Sequence, residues 1–186
     1  MTTGLILIVV AGLVVLYAVS VYNKLVTKRA MTEESYSGID VQLKRRADLI
    51  PNLVETVKGY MTHEQTTLEK VTAMRARAEA ATTPDERFKA EAGISSLIGN
   101  IMAVAESYPE LKASANFINL QGELSGIEEQ IQFARRYYNG SARDMNIMIQ
   151  KFPSNIVAGM FRFEQKPYFE IEDEADRKVQ KVSFAQ

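Results

Sequence analysis

Residues 117–152 read FINLQGELSGIEEQIQFARRYYNGSARDMNIMIQKF. Within them Phe117, Leu120, Leu124, Ile127, Ile131, Ala134, Tyr138, Ser141, Met145, Met148 and Phe152 follow one another in alternating steps of three and four. That is a heptad seam, and it predicts one long helix over 112–151 with a continuous buried stripe. Asn139-Gly140 is a local weak point in the run, and Pro153 ends it. A helix of this length needs apolar partners along its whole flank.

Matching stripes lie upstream. Thr83-Pro84-Asp85-Glu86 has the form of a helix start, with a capping Thr, a Pro suited to the first turn and a Glu that completes a capping box. The helix it opens carries Phe88, Ile94, Leu97, Ile98, Ile101 and Val104 and stops at Tyr108-Pro109. Gly93 and Gly99 inside it are read as points of close helix packing. A further helix is expected over 52–81, buried through Leu53, Val54, Val57, Met61, Leu68, Val71 and Met74. Before it, Ile39, Leu43 and Arg46 recur at helical spacing. Pro51 lacks an amide donor and disfavours helix in the residue before it, so a break or kink is expected near Ile50. No segment alternates like a strand. The expectation is an all-α fold, an elongated antiparallel bundle with small crossing angles. After Pro153 helical periodicity weakens, apart from a start at Asn155. Residues 154–186 are expected to form an irregular, acidic tail that packs Phe161, Phe163, Tyr168, Phe169 and Phe184 back on the bundle.

At the other end, residues 4–22 carry no charge and are nearly all aliphatic. Residues 5–21 would span ~26 Å as helix, close to a hydrocarbon core of ~30 Å. Tyr17 and Tyr22 suit the headgroup region, and Lys24, Lys28 and Arg29 follow. Ala18-Val19-Ser20 has the form of a signal-peptidase site, but no Lys or Arg precedes the apolar run and three follow it, the reverse of a secretory signal. The expected organisation is a short tail (1–4), a retained transmembrane helix (5–22), a bundle (23–153) and the tail. The basic flank predicts a cytoplasmic bundle with the N-terminus outside.

Composition excludes several chemistries. The 186 residues contain no Cys and one His, which removes disulfides, thiol catalysis and most soft-metal sites. His63-Glu64 opens a zinc-protease pattern, but Thr67 stands where its second His belongs, and Tyr60 stands where a di-iron bundle needs Glu. Neither a phosphate loop nor a dinucleotide fingerprint is present. A net charge of −1 gives no footprint for nucleic acid. The expectation is no enzyme, no cofactor and no metal. Glu123, Glu128 and Glu129 are read as solvated surface. Two polar clusters are the candidate interaction sites: Lys44, Arg45, Arg46 and Asp48 before Pro51, joined by Asn52 after it, and Arg135, Arg136 and Asn139 on the long helix. They suit anionic lipid, a partner's carboxylates, or intramolecular pairing with Asp48, Glu55 or the acidic tail.

Several runs resemble the LemA family: Tyr22-Asn23-Lys24-Leu25-Val26, Ile39-Asp40-Val41-Gln42-Leu43-Lys44-Arg45-Arg46, Asp48-Leu49-Ile50-Pro51-Asn52-Leu53-Val54, Ala134-Arg135-Arg136-Tyr137-Tyr138-Asn139 and Phe152-Pro153-Ser154-Asn155. The resemblance reaches from the apolar span to Val182-Ser183-Phe184. It implies a bacterial inner-membrane protein with a cytoplasmic helical bundle and no established enzymatic activity. A relative in magnetosome-forming bacteria is tied to building that membrane compartment. Met145-Asn146 departs from the Tyr-Asn common in the family, and Ala47 replaces a larger residue. The functional expectation is a membrane-anchored scaffold organising partners or lipid. The alternative is a regulatory partner of a membrane protease, which rests on the genomic neighbourhood of such proteins. Self-association through the span is also expected, since Gly4 and Gly12 let helices approach, with weaker contacts between the Arg45-Arg46 face and the acidic tail.

Overall fold

The computed structural model describes residues 2–61 and 63–169. Six helices occupy them: α1 (Thr2–Lys58), α2 (Gln65–Ala80), α3 (Pro84–Ala105), α4 (Pro109–Lys112), α5 (Ala115–Gln150) and α6 (Ser154–Met160). The fold is all-α. α1 and α5 run antiparallel along most of their length: Lys28 meets Asp144, Ser35 meets Ser141, and Arg46 meets Glu128. α2 and α3 form a hairpin that closes the other side of this pair.

The break expected at Pro51 does not occur; α1 continues through it to Lys58. Pro51 faces solvent, where water can satisfy the carbonyl that loses its amide partner. Ile50, Leu53 and Val57 are fully buried on the opposite face and hold both sides of the proline to the core. The helix expected over 52–81 is instead divided, since α1 ends at Lys58 and α2 begins at Gln65. Met61, between them, is buried.

α3 begins where expected. The Thr83 hydroxyl accepts from the Glu86 amide at 3.3 Å, and the Glu86 carboxylate accepts from the Thr83 amide at 3.3 Å. Gly93 is a point of close approach: a Cβ there would lie 3.2 Å from Met74 Cε. Gly99 is not, since a Cβ there would meet nothing within 4 Å.

The α5 stripe is buried at Phe117, Leu120, Leu124, Ile127, Ile131, Tyr138 and Met145, with Ala134 partly buried, and it widens after Tyr138. Ala142 and Asn146 are buried beside Met145, Ser141 is partly buried, and Phe152 is 74% exposed. Of the residues expected in an irregular tail, Ser154–Met160 form a helix, α6. α6 packs Val157 and Ala158 against Val21 and Leu25 of α1. Residues 164–169 then run back along α5. Phe184 and the carboxylates from Glu170 onward lie outside the described residues.

Candidate functional site: a buried arginine and its neighbours

The α1 stripe Ile39, Leu43, Arg46, Ile50, Leu53 places one cation in an apolar row. Arg46 is 1% exposed. Its Nη2 donates to Glu91 Oε2 at 2.6 Å and to the Glu91 carbonyl at 3.0 Å. Its Nη1 donates to Glu128 Oε1 at 2.5 Å and to the Ser95 hydroxyl. Ser95 in turn donates to Glu128 Oε2 at 3.2 Å. Glu91 and Ser95 are one turn apart on α3, so α1, α3 and α5 meet at this guanidinium. Burial pushes the Glu91 carboxyl above its ordinary range, against the opposing pull of Arg46 and Arg87. Arg87 itself bridges to Asp40 at 2.6 Å.

This arrangement fixes the register of three helices. One-turn slippage of any of them would strand a buried charge. It does not resemble an acid–base site, because Glu91 is sealed from solvent and its carboxylate is committed to arginine. Glu128 is thereby corrected from a solvated residue to a half-buried partner of the buried arginine. Arg46 is corrected from candidate contact to internal tie and cannot form part of a face between copies. Both corrections have one cause: sequence separation hides which charges the helices bring together.

The other candidate residues disperse. Lys44 and Asp48 make an exposed pair one turn apart at 3.7 Å. Arg45 is exposed and donates to Gln42 at 3.4 Å. Asn52 lines a shallow cleft of about 360 Å³ with Glu55, Asn116, Asn119 and Glu123. Arg136 is exposed and lies over the Phe133 ring at 4.6 Å. Arg135 is half-buried, lies 5.7 Å from the Phe169 ring centroid and donates to Gln132.

Asn139 has a structural task. Its Nδ2 donates to the Phe169 carbonyl at 3.1 Å, and its Oδ1 accepts from the Phe169 amide at 2.8 Å. Asn146 repeats this with Lys166, at 2.9 and 2.8 Å. Seven helical residues rise ~10.5 Å and three extended residues ~10 Å, so the two amides clamp the returning segment in register. Tyr138 donates to the Pro167 carbonyl between them at 2.8 Å, and burial pushes its hydroxyl up to about 12. Phe169 completes the closure by stacking on Phe88 with centroids 4.3 Å apart. Asn146 is not among the residues singled out from sequence, because its partner Lys166 comes alongside only when the chain returns after α6.

At the far end of the bundle, α1 and α2 leave an open groove of about 670 Å³ lined mainly by apolar atoms of Val54, Met61, Leu68, Ala73 and Ala76, with Lys58 and Glu69 at its rim. At the near end, residues 5–19 of α1 project from the bundle with their large apolar side chains exposed. α1 is thus long and apolar enough to cross a membrane, and its apolar part is not a buried core helix. Among the described residues no three His, Asp or Glu side chains are grouped to hold a metal.

These features define a class: a membrane-associated protein whose apolar helix continues directly into an all-α bundle. The LemA family profile matches residues 35–184, and the chain belongs to the LemA family. It is similar to Protein LemA of Metamycoplasma hominis, 30% identical over 139 residues that cover 73% of this chain and 63% of the relative. It is also similar to Magnetosome protein MamQ 2 of Paramagnetospirillum magneticum, 25% identical over an alignment of 184 residues covering 85% of this chain and 68% of the relative. MamQ of Magnetospirillum gryphiswaldense is 22% identical over the same extent.

Proposed function

We propose that the protein is a non-catalytic, single-pass scaffold of the bacterial inner membrane that carries its bundle on the cytoplasmic side and organises partners there. The observation that carries this reading is the continuity of α1. One helix of 57 residues joins the apolar span to the core with no linker, so the span sets the position of the whole bundle. The long axis then places the α1–α2 groove at the end farthest from the apolar span. Similarity to proteins named for the magnetosome supports work at a membrane. The basic residues Lys24, Lys28 and Arg29 after the span support the orientation.

Orientation is tested with Ser37→Cys, an exposed position in a chain without native thiols. An impermeant thiol reagent should label it only after cell lysis; labelling in intact cells overturns the cytoplasmic bundle. The scaffold role is tested by photocrosslinking from Ala73 in native membranes, with Glu129 on the bundle flank as comparison. A discrete adduct specific to Ala73 is expected. No adduct from any groove position overturns a partner site there, and a membrane protease as the adduct replaces the scaffold by the regulatory reading.

A further inference from the structure

α6 and the residues around it carry apolar surface that the bundle does not use. Phe152, Ile156 and Met160 recur every four residues, with Phe161 beside them. Phe152 and Met160 are about three-quarters exposed, at 74% and 73%, and Ile156 and Phe161 are more than half exposed. On the α5 flank the exposed large apolar residues are Ile118, the neighbouring Phe133 and Tyr137, and Ile147, none of them as exposed as Phe152 or Met160. Here Ile156 and Met160 lie one turn apart on α6, flanked by Phe152 just before the helix and Phe161 just after it, while Ser154, Val157 and Ala158 of the same helix are buried.

The position of that packed face matters. Val157 and Ala158 bury against Val21 and Leu25, with Ala18 alongside. Phe161 and Phe163 lie 4.6 and 5.9 Å from the Tyr22 ring. Residues 18–25 are where the apolar span gives way to the first charged side chains, Lys24 and Lys28. α6 is therefore held at the level where α1 would leave a bilayer. Its charge fits the same place: between residues 151 and 163 there are two bases, Lys151 and Arg162, and no acid. Both are exposed. An apolar stripe edged by cations is the composition of helices that lie at the boundary of acyl chains and anionic headgroups.

We propose that α6 is a second membrane contact, with Phe152, Ile156, Met160 and Phe161 seated in the interfacial layer of the bilayer that α1 crosses. The proposal rests on the membrane-spanning reading of α1. The span alone would leave the bundle free to tilt and spin about one axis. A foot set to the side of that axis fixes which face of the bundle lies nearest the lipid. The returning segment 164–169, clamped by Asn139 and Asn146, holds the foot in place from its other end.

The test uses the full-length chain in vesicles containing anionic lipid, with single cysteines labelled by an environment-sensitive fluorophore. Met160→Cys and Ile156→Cys report the foot, Val14→Cys the span and Glu129→Cys the distant bundle surface. Lipids brominated on their acyl chains should quench Val14, Ile156 and Met160 positions and leave Glu129 bright, with blue-shifted emission at Met160. Quenching at Val14 but not at Ile156 or Met160 overturns the foot while the span stands. No quenching at Val14 overturns the span itself. Disulfide-linked dimers of unlabelled Met160→Cys, together with unquenched label, would assign the stripe to a second copy of the chain and also overturn the proposal. Helical content by circular dichroism, equal to that of the parent protein, confirms that each variant is folded.

Discussion

Arg46→Met is the substitution that most directly tests the buried tie. Methionine fills much of the arginine volume and leaves the helices in contact, so the effect reports charge rather than a cavity. It leaves Glu91 buried without its main partner. Removing one member of a buried pair costs about 3–5 kcal/mol, chiefly because the remaining charge is uncompensated. The cost should depend on pH. Glu91 already titrates above its ordinary range because burial outweighs Arg46 and Arg87. Losing Arg46 removes the largest lowering influence and raises it further. A carboxyl with a folded pKa above its unfolded value contributes stability that is fully present below the unfolded pKa and lost as pH rises through the folded one. The variant should therefore recover relative to the parent as pH falls from neutral toward the ordinary carboxylate range, by at most ~1.4 kcal/mol per pH unit for one proton. Urea melts of the full-length protein in detergent, followed by circular dichroism, measure the difference, since unrelated carboxyls affect both proteins alike. Adding Glu91→Gln to Arg46→Met should return part of the loss, a positive coupling that independent sites would not give. A deficit that stays constant with pH, or no coupling, would refute the reading that a stranded Glu91 charge is the cause.

Ile127→Ala should cost about 2–5 kcal/mol as a core truncation. Glu128→Ala beside it should cost about 1–3 kcal/mol by depriving Arg46 of an acceptor, while exposed Glu129→Ala should stay within ~0.5 kcal/mol; the same urea melts compare all three. Thr83→Ala removes the capping hydroxyl of α3 and should cost about 1 kcal/mol, with faster amide exchange confined to the first turn if the effect is local. Phe169→Ala removes the ring stacked on Phe88 and should cost about 3–5 kcal/mol, read as a lower thermal midpoint; an unchanged midpoint would mean that the returning segment contributes nothing to the core.

Local signals were legible where one short stretch contains the whole cause. The capping box at Thr83 needs only Thr83 and Glu86, and the structure forms it. The α5 seam depends on spacing along one helix, and most of it is buried, from Phe117 to Met145. At Pro51 the local signal and the structure differ, because the cost of a proline depends on what surrounds it. The apolar row on the buried face, with solvent on the other, lets α1 pass through it. At Glu128 they differ for the opposite reason: spacing on α5 separates it from the buried stripe, but Arg46 arrives from α1 to claim it. The Asn139–Asn146 clamp needs the chain to return after α6, which no periodicity within α5 announces.

By itself the sequence determined an all-helical chain, an apolar span and the LemA family, because hydrophobic period, capping and motif runs are encoded over a few neighbouring residues. Tertiary structure alone decided which charges are surface and which are core. Arg45 and Arg46 are adjacent in sequence, yet one lies in solvent and the other ties three helices together. It also decided that α6 returns to the exit of the span, bringing Val157 against Val21 across more than a hundred residues of chain. The physical reason is the same in both cases: burial and charge compensation are properties of groups brought together from distant parts of the chain. Helical period states which face of each helix is apolar, but not what will be standing opposite it.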